Sequence, residues 1–194
     1  MPRELRTIAQ GVTYHCYSRC HDKQNLLLGS FGKQILIEAI QMCQKKYTFE
    51  LNAVEIVANH IHLIIRTLEN GETISLIMQY IKARVAEKYN KAMNRSGAFW
   101  LGRFGCKIVE ESDDPRPYFF RLIWYIAYNP VRKGLSPNPR ENPIGFINCY
   151  LIENYELPIK ITLHPYFYDL GDTFEERAEK FLLYEDMYLR NLDT

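Results

Sequence analysis

The chain has 194 residues, 24 Lys+Arg against 23 Asp+Glu, a formal net charge of +1, and is 47% hydrophobic and 24% charged. That is the composition of an ordinary globular protein, not a disordered one, and the length is ample for one domain with or without an appendage. No apolar run approaches the ~20 residues of a membrane span, Met1 to Arg6 does not read as a signal peptide, and five irregularly spaced cysteines form no disulfide framework, so a cytoplasmic location is expected.

The near-neutral balance averages two unlike parts. Residues 1–140 carry 20 Lys+Arg and 12 Asp+Glu, a net +8, whereas residues 141–194 carry 4 and 11, a net −7. A basic body with an acidic end hints at a polyanion partner, although a chance fluctuation along a neutral chain gives the same figures.

In chain order, Gly11 to Arg19 reads as a first strand. Phe31 to Lys46 has its apolar residues at helical spacing, from Ile35 through Cys43. Thr48 to Val57 and Ile61 to Thr67 are Val-, Ile- and Leu-rich strands joined by a turn or bulge at Ala58-Asn59. A second helix runs from about Thr73, a plausible N-cap, to Met93, with Ile74, Ile77, Ile81, Val85 and Tyr89 on one stripe. Arg103 to Val109 reads as a fourth strand, and Asp113-Asp114-Pro115 opens a third helix through Tyr128. Pro130 disfavours helix at Asn129. The order β-α-β-β-α-β plus a helix predicts an α+β, ferredoxin-like antiparallel sheet with helices on one face. From Ser136 the chain is Pro- and Asn-rich like a linker, and Thr173 to Arg190 is an acidic amphipathic helix. The expected division is a domain at 1–145 and an acidic, helical extension at 146–194.

Four groups of residues bear chemistry. His60 and His62 alternate along a strand and so share a face, where they fit either one shared metal ion or solvent. Tyr125 and Asn129, at i and i+4, share a helix face, and Asn129 could supply a neutral oxygen ligand; the helix could equally be aromatic for packing alone. Tyr128 fits a site shared with Asn129 less well. Arg132-Lys133-Gly134 after the helix suits a phosphodiester or a C-cap, and Trp100, Arg103 and Phe104 suit base stacking or the core. His15-Cys16 does not make a zinc site, because neighbours in a strand face opposite ways.

Taken together these residues resemble the single-tyrosine HUH transposases, most closely the REP-associated tyrosine transposases. Tyr14-His15-Cys16-Tyr17-Ser18-Arg19 is similar to that family's first strand, and Asn59-His60-Ile61-His62 to its Asn-His-x-His strand. Gly97 to Phe104 resembles its Gly, Trp and Arg-Phe segment, and Tyr125 to Leu135 its Tyr-Ile-x-x-Asn-Pro-Val-Arg-x-Gly signature. The chain lacks the Met-Pro that often precedes the family's Asn-His and has Cys20 where Gly is common.

The resemblance implies that Tyr125 is a nucleophile giving a 5′-phosphotyrosine on single-stranded or hairpin DNA. It implies one divalent metal, Mg²⁺ or Mn²⁺, on His60, His62 and Asn129, and no nucleotide cofactor. Arg19, Lys82, Arg84, Lys88, Arg103, Arg132 and Lys133 are the candidate DNA contacts. The family acts as monomers or homodimers. The rivals are a non-cutting DNA binder of the same fold, such as a repressor, and a metal-dependent phosphodiesterase that does not need Tyr125. The acidic extension would cover the site, imitate DNA or cap the sheet. If it inhibits, deleting residues after about 150 tightens DNA binding, provided the fold survives.

Overall fold

The β-branched runs pair into one antiparallel sheet. The computed structural model describes residues 8–192, and its sheet has β1 (Thr13–Arg19), β2 (Phe49–Ile56), β3 (His60–Thr67) and β4 (Gly105–Ile108) in the order β2-β3-β1-β4. The register sets Arg19 opposite His60, Tyr17 opposite His62 and His15 opposite Ile64. Directly opposed residues share a face, so the two histidines of β3 and the odd-numbered residues of β1 stand together. The alternate residues Tyr14, Cys16, Ile61, Leu63 and Ile65 point the other way and are wholly buried.

Each parallel pair, β1 with β2 and β3 with β4, is joined through a helix, and α1 (Ser30–Lys46) and α2 (Ile74–Ala92) pack against each other with their apolar residues in the core shared with that face. Cys43 of α1 lies 3.9 Å from the Ile77 carbonyl of α2. Thr73 caps α2 as its sequence predicts, its hydroxyl accepting from the Leu76 amide. The Ala58-Asn59 step is a tight turn, closed by the Val57 amide donating to the His60 carbonyl. The bulge lies instead at Leu51/Ala53 of β2.

The face that carries the histidines is covered by the rest of the chain. Helix α3 (Pro115–Ala127) starts on proline and buries Phe119, Phe120, Ile123 and Trp124. Pro130 does not simply end the helical path: it fits the first turn of a new short helix, α4 (Asn129–Arg132), since a missing amide costs nothing there. Beyond Ser136 the structure departs from a linker. Two 3₁₀ turns, Pro139–Glu141 and Phe146–Tyr150, lead to α5 (Pro165–Tyr168) and α6 (Phe174–Arg190). The prolines shape turns, and buried Asn142 and Asn148 donate to the Glu55 carboxylate and the Arg140 carbonyl. Polar composition suggested solvent, but the partners are inside the fold.

This segment belongs to the same core as the sheet. Phe146, Tyr150, Phe167 and Phe181 are fully buried, and the Trp124 indole stacks on Phe181 at 4.8 Å. Tyr150 donates to the Asn52 carbonyl of β2. A chain cut after residue 150 therefore loses Phe167 and Phe181 from its core, at ~3–5 kcal/mol for each such aromatic. That deletion is expected to unfold the protein, which a loss of cooperative urea unfolding would show, and DNA binding by the truncated chain would then not report on inhibition.

His164 ties the extension to both α3 and β1. Its Nδ1 accepts from the Tyr166 amide, so Nε2 carries the proton and donates to the Thr13 hydroxyl at 2.9 Å, while the ring stacks on Phe119. Burial first, and then the nearby Arg66 charge, push its pKa down to about 3. The unfolded chain takes up a proton near pH 6.5 that the folded chain refuses, so stability falls as pH drops from about 6.5 towards 3. His164→Gln is expected to flatten the decline by up to about 1.4 kcal/mol per pH unit, measured by urea unfolding between pH 7 and 5.

Candidate active site

The turn before β3 fixes the chemistry of its first histidine. Asn59 donates from Nδ2 to the Lys23 carbonyl, which leaves Oδ1 to accept from His60 Nδ1 at 2.8 Å. His60 is thereby protonated on Nδ1, and Nε2 keeps its lone pair. One pleat further on, His62 Nδ1 meets His15 Nε2 at 2.9 Å, with the rings stacked at 5.2 Å. With His62 as donor, Nε2 of His62 is likewise free to ligate. Both rings are held neutral: burial, then Arg19 and Lys133, lower His60, and burial, then the neighbouring imidazoles of His15 and His60 and the charges of Arg132 and Arg19, bring His62 to about 3. Burial and Lys107 bring His15 to about 4.

Tyr125 stands over this pair near the end of α3. Its ring meets His62 edge-on at 6.1 Å and it is 42% exposed. Near the C-terminus of a helix the backbone carbonyls need outside partners. The Tyr125 carbonyl accepts from Asn129 Nδ2 at 3.1 Å and from Arg132 Nη2 at 3.0 Å. With its amide nitrogen so engaged, Asn129 lies against His60 and favours that ring's protonated form. The Arg132 guanidinium covers the Tyr125 ring at 4.5 Å and also donates to the Tyr188 hydroxyl of α6. Tyr128 faces away, donating to Glu185 at 2.8 Å.

Two clefts meet at Tyr125. A narrower one of about 430 Å³ is lined by Ser18, Arg19, His60, Leu101 and Arg103. A wider one of about 660 Å³ is lined by Tyr118, Arg121, Leu122, Tyr188 and Leu192. Tyr17, His62 and Tyr125 border both. Tyr17 is 43% exposed and lies across Gly105, its cross-strand partner, where a Cβ would sit 2.3 Å from the ring. Glycine is required there by the close approach of the ring.

The structure brings Arg19, Arg103, Arg132 and Lys133 around the histidines and Tyr125. It does not bring Lys82, Arg84 or Lys88 there. These lie on α2, behind the sheet, where Lys82 donates to the Gly102 carbonyl, Arg84 pairs with Glu87 and Lys88 with Glu38. Lys82 acts on the site indirectly, by fixing the turn that presents Leu101 and Arg103. Trp100 and Phe104 are buried and belong to the core. The reading of single residues missed His15, Tyr17, Lys107 and Arg121. His15 and Tyr17 share the period-two face of Arg19, and Arg121 precedes Tyr125 by one helical turn, so the signals were present but needed the β1–β3 register.

The family model described as IS200-like transposase matches residues 9–116. The chain belongs to the IS200-like transposase family. A Haemophilus influenzae protein described as a REP-associated tyrosine transposase is 27% identical over 143 residues, 69% of this chain and 78% of that protein. A solved structure of a REP-associated tyrosine transposase bound to a REP hairpin superposes with a TM-score of 0.65 at 20% identity, covering 84% of this chain and 92% of that one. At that identity the likeness shows the fold. In this transposase no helix among the described residues is long and apolar enough to cross a membrane.

The Tyr17–Gly105 contact is testable by itself. Gly105→Ala is expected to destabilise by about 1–3 kcal/mol through overpacking, and most of that cost should vanish in a Tyr17→Ala background, as a double-mutant cycle of urea midpoints would show.

Proposed function

We propose that this transposase cuts and rejoins single-stranded or hairpin DNA through Tyr125, with one divalent ion, Mg²⁺ or Mn²⁺, held by His60, His62 and Asn129. The observation that carries the reading is the convergence of Tyr125 and His62, edge-on to each other at the junction of two cation-lined clefts, with His60 beside them in the narrower one. The donor set fits the ion: two neutral imidazoles whose Nδ1 atoms are already engaged, and an amide oxygen beside His60. The solved relative bound to a REP hairpin supports hairpin DNA as the substrate class.

The Tyr125 phenol oxygen attacks the phosphorus, the bond to O3′ breaks, and the DNA leaves a 5′-phosphotyrosine and a free 3′-hydroxyl. The phenol gives up its proton and the departing O3′ gains one. Rejoining runs the same exchange backwards, so the bond is conserved and no nucleotide cofactor is consumed. A phenol with a pKa near ~10 is a weak nucleophile at neutral pH, so alignment has to contribute much of the rate. Arg132 and Asn129 supply it by fixing the Tyr125 backbone, and Arg19, Arg103 and Lys133 hold the phosphates on either side. When bound, the divalent ion supplies Lewis-acid polarisation of the attacked phosphate.

The decisive experiment incubates the protein with Mn²⁺ and labelled hairpin DNA carrying a single-stranded flank. A covalent adduct on a denaturing gel is expected, and Tyr125→Phe should abolish it while changing DNA affinity less than about threefold. Binding without any adduct would assign a non-cutting DNA binder, and cleavage that survives Tyr125→Phe would assign a phosphodiesterase. A second prediction concerns His15, which bonds the far nitrogen of His62 and stacks on its ring. His15→Ala should weaken Mn²⁺ binding by about 10–100-fold, read from the paramagnetic resonance of free Mn²⁺ without any DNA present.

A further inference from the structure

We propose that the wider cleft receives one unstacked nucleobase next to the phosphate attacked by Tyr125, with Tyr17 as its stacking platform and the end of α6 as its far wall. The inference rests on the reading of Tyr125 as the nucleophile and adds to it a subsite, placing a function on the C-terminal extension.

The two clefts differ in chemistry. The narrower one offers the guanidiniums of Arg19 and Arg103, groups that suit a phosphate backbone. The wider one, at about 660 Å³, falls within the size of sites for small planar ligands. It is lined by tyrosines, with Leu122 and Leu192 as apolar walls and Asn191 as an amide at the edge. Its cations, Lys107 and Arg121, are both exposed, as phosphate contacts on either side of an inserted base would need to be. A π-face, an apolar wall and a polar edge together suit a nucleobase better than a bare phosphate.

Tyr17 is built as the platform. It borders both clefts, so a strand crossing Tyr125 passes over it. Gly105 beneath it leaves room for the ring to lie flat against the sheet, and no side chain can displace it from below. Tyr17 nevertheless remains 43% exposed, although it lies among the His15 and His62 rings. The far wall comes from α6, whose Tyr188 is anchored by Arg132 and is followed by Asn191 and Leu192 at the mouth. The strongly acidic helix thus turns uncharged residues towards the cleft.

The test begins with hairpin DNAs bearing a randomised single-stranded flank, selected for adduct formation with Tyr125. Each nucleotide around the cut is then replaced singly by an abasic residue, and binding is measured to Tyr125→Phe protein. One position beside the cut should lose about 10–100-fold in affinity. That loss should shrink to less than about threefold when Tyr17→Ala is added, and return in full with Tyr17→Phe. Leu192→Asp, at an exposed wall position, should reproduce the Tyr17→Ala result without touching the sheet. Abasic losses that are uniform along the strand, or equally large with Tyr17→Ala and Leu192→Asp, overturn the nucleobase site while leaving Tyr125 as nucleophile. Failure of every flank to give an adduct overturns the reading of Tyr125, and this inference falls with it.

Discussion

The antiparallel register between β1 and β3 governs everything the site does. Setting Tyr17 against His62 and Arg19 against His60 gathers two histidines, an aromatic ring and a cation on one face of two adjacent strands. A slip of one residue would send all of them into the apolar layer under α1 and α2 and bring Cys16, Leu63 and Ile61 to the cleft. Complete burial of those three residues makes that slip prohibitively costly. The core therefore specifies the site without contributing an atom to it, and the register is the sheet's chief functional constraint.

From that register follows a division between residues that could meet a substrate and residues that orient them. Asn59 fixes His60, His15 fixes His62, and Arg132 with Asn129 fixes the Tyr125 backbone. The same logic extends outward to α6. Glu185 accepts from Tyr128 and is bound by Arg140, while Tyr188 accepts from Arg132. The C-terminal helix thus clamps both flanks of the segment from Tyr125 to Arg132. Buried ionic groups of this kind add little net stability, but they restrict the side chains they touch to one arrangement, as the role proposed for Tyr125 requires.

The parts legible in the sequence were those set by local periodicity and local chemistry. The alternation of His60, Ile61 and His62 announced a two-faced strand, the Tyr125–Asn129 spacing a shared helix face, and Thr73 a cap. What stayed hidden depends on pairing distant in sequence. His15 has no meaning until β1 lies beside β3, and Gly105 none until Tyr17 lies across it. Lys82, Arg84 and Lys88 could be grouped with the site's cations only by charge, because the sequence does not show that α2 lies on the other side of the sheet from the histidines. The segment after Ser136 looked like a linker because Asn142 and Asn148 carry no mark of the buried partners that satisfy them.

The charge division acquires a different meaning in three dimensions. A net −7 over residues 141–194 would repel DNA if it faced the clefts, since exposed charges act within about a Debye length, ~8–10 Å in ordinary salt. Helix α6 prevents that by its own periodicity. Phe181, Glu185 and Tyr188 lie on its buried face, whereas Glu175, Glu176, Glu179 and Asp186 are exposed on the other. Its one buried acid is bound by Arg140 and accepts from Tyr128. The residues it presents to the wider cleft, Tyr188, Asn191 and Leu192, carry no charge. The field at Tyr125 is set instead by Arg19, Arg103, Arg132 and Lys133 together with Lys107 and Arg121. An acidic extension and a polyanion-binding site can therefore share one small fold, because what a phosphate senses is the charge within a Debye length of it and not the sum over the chain.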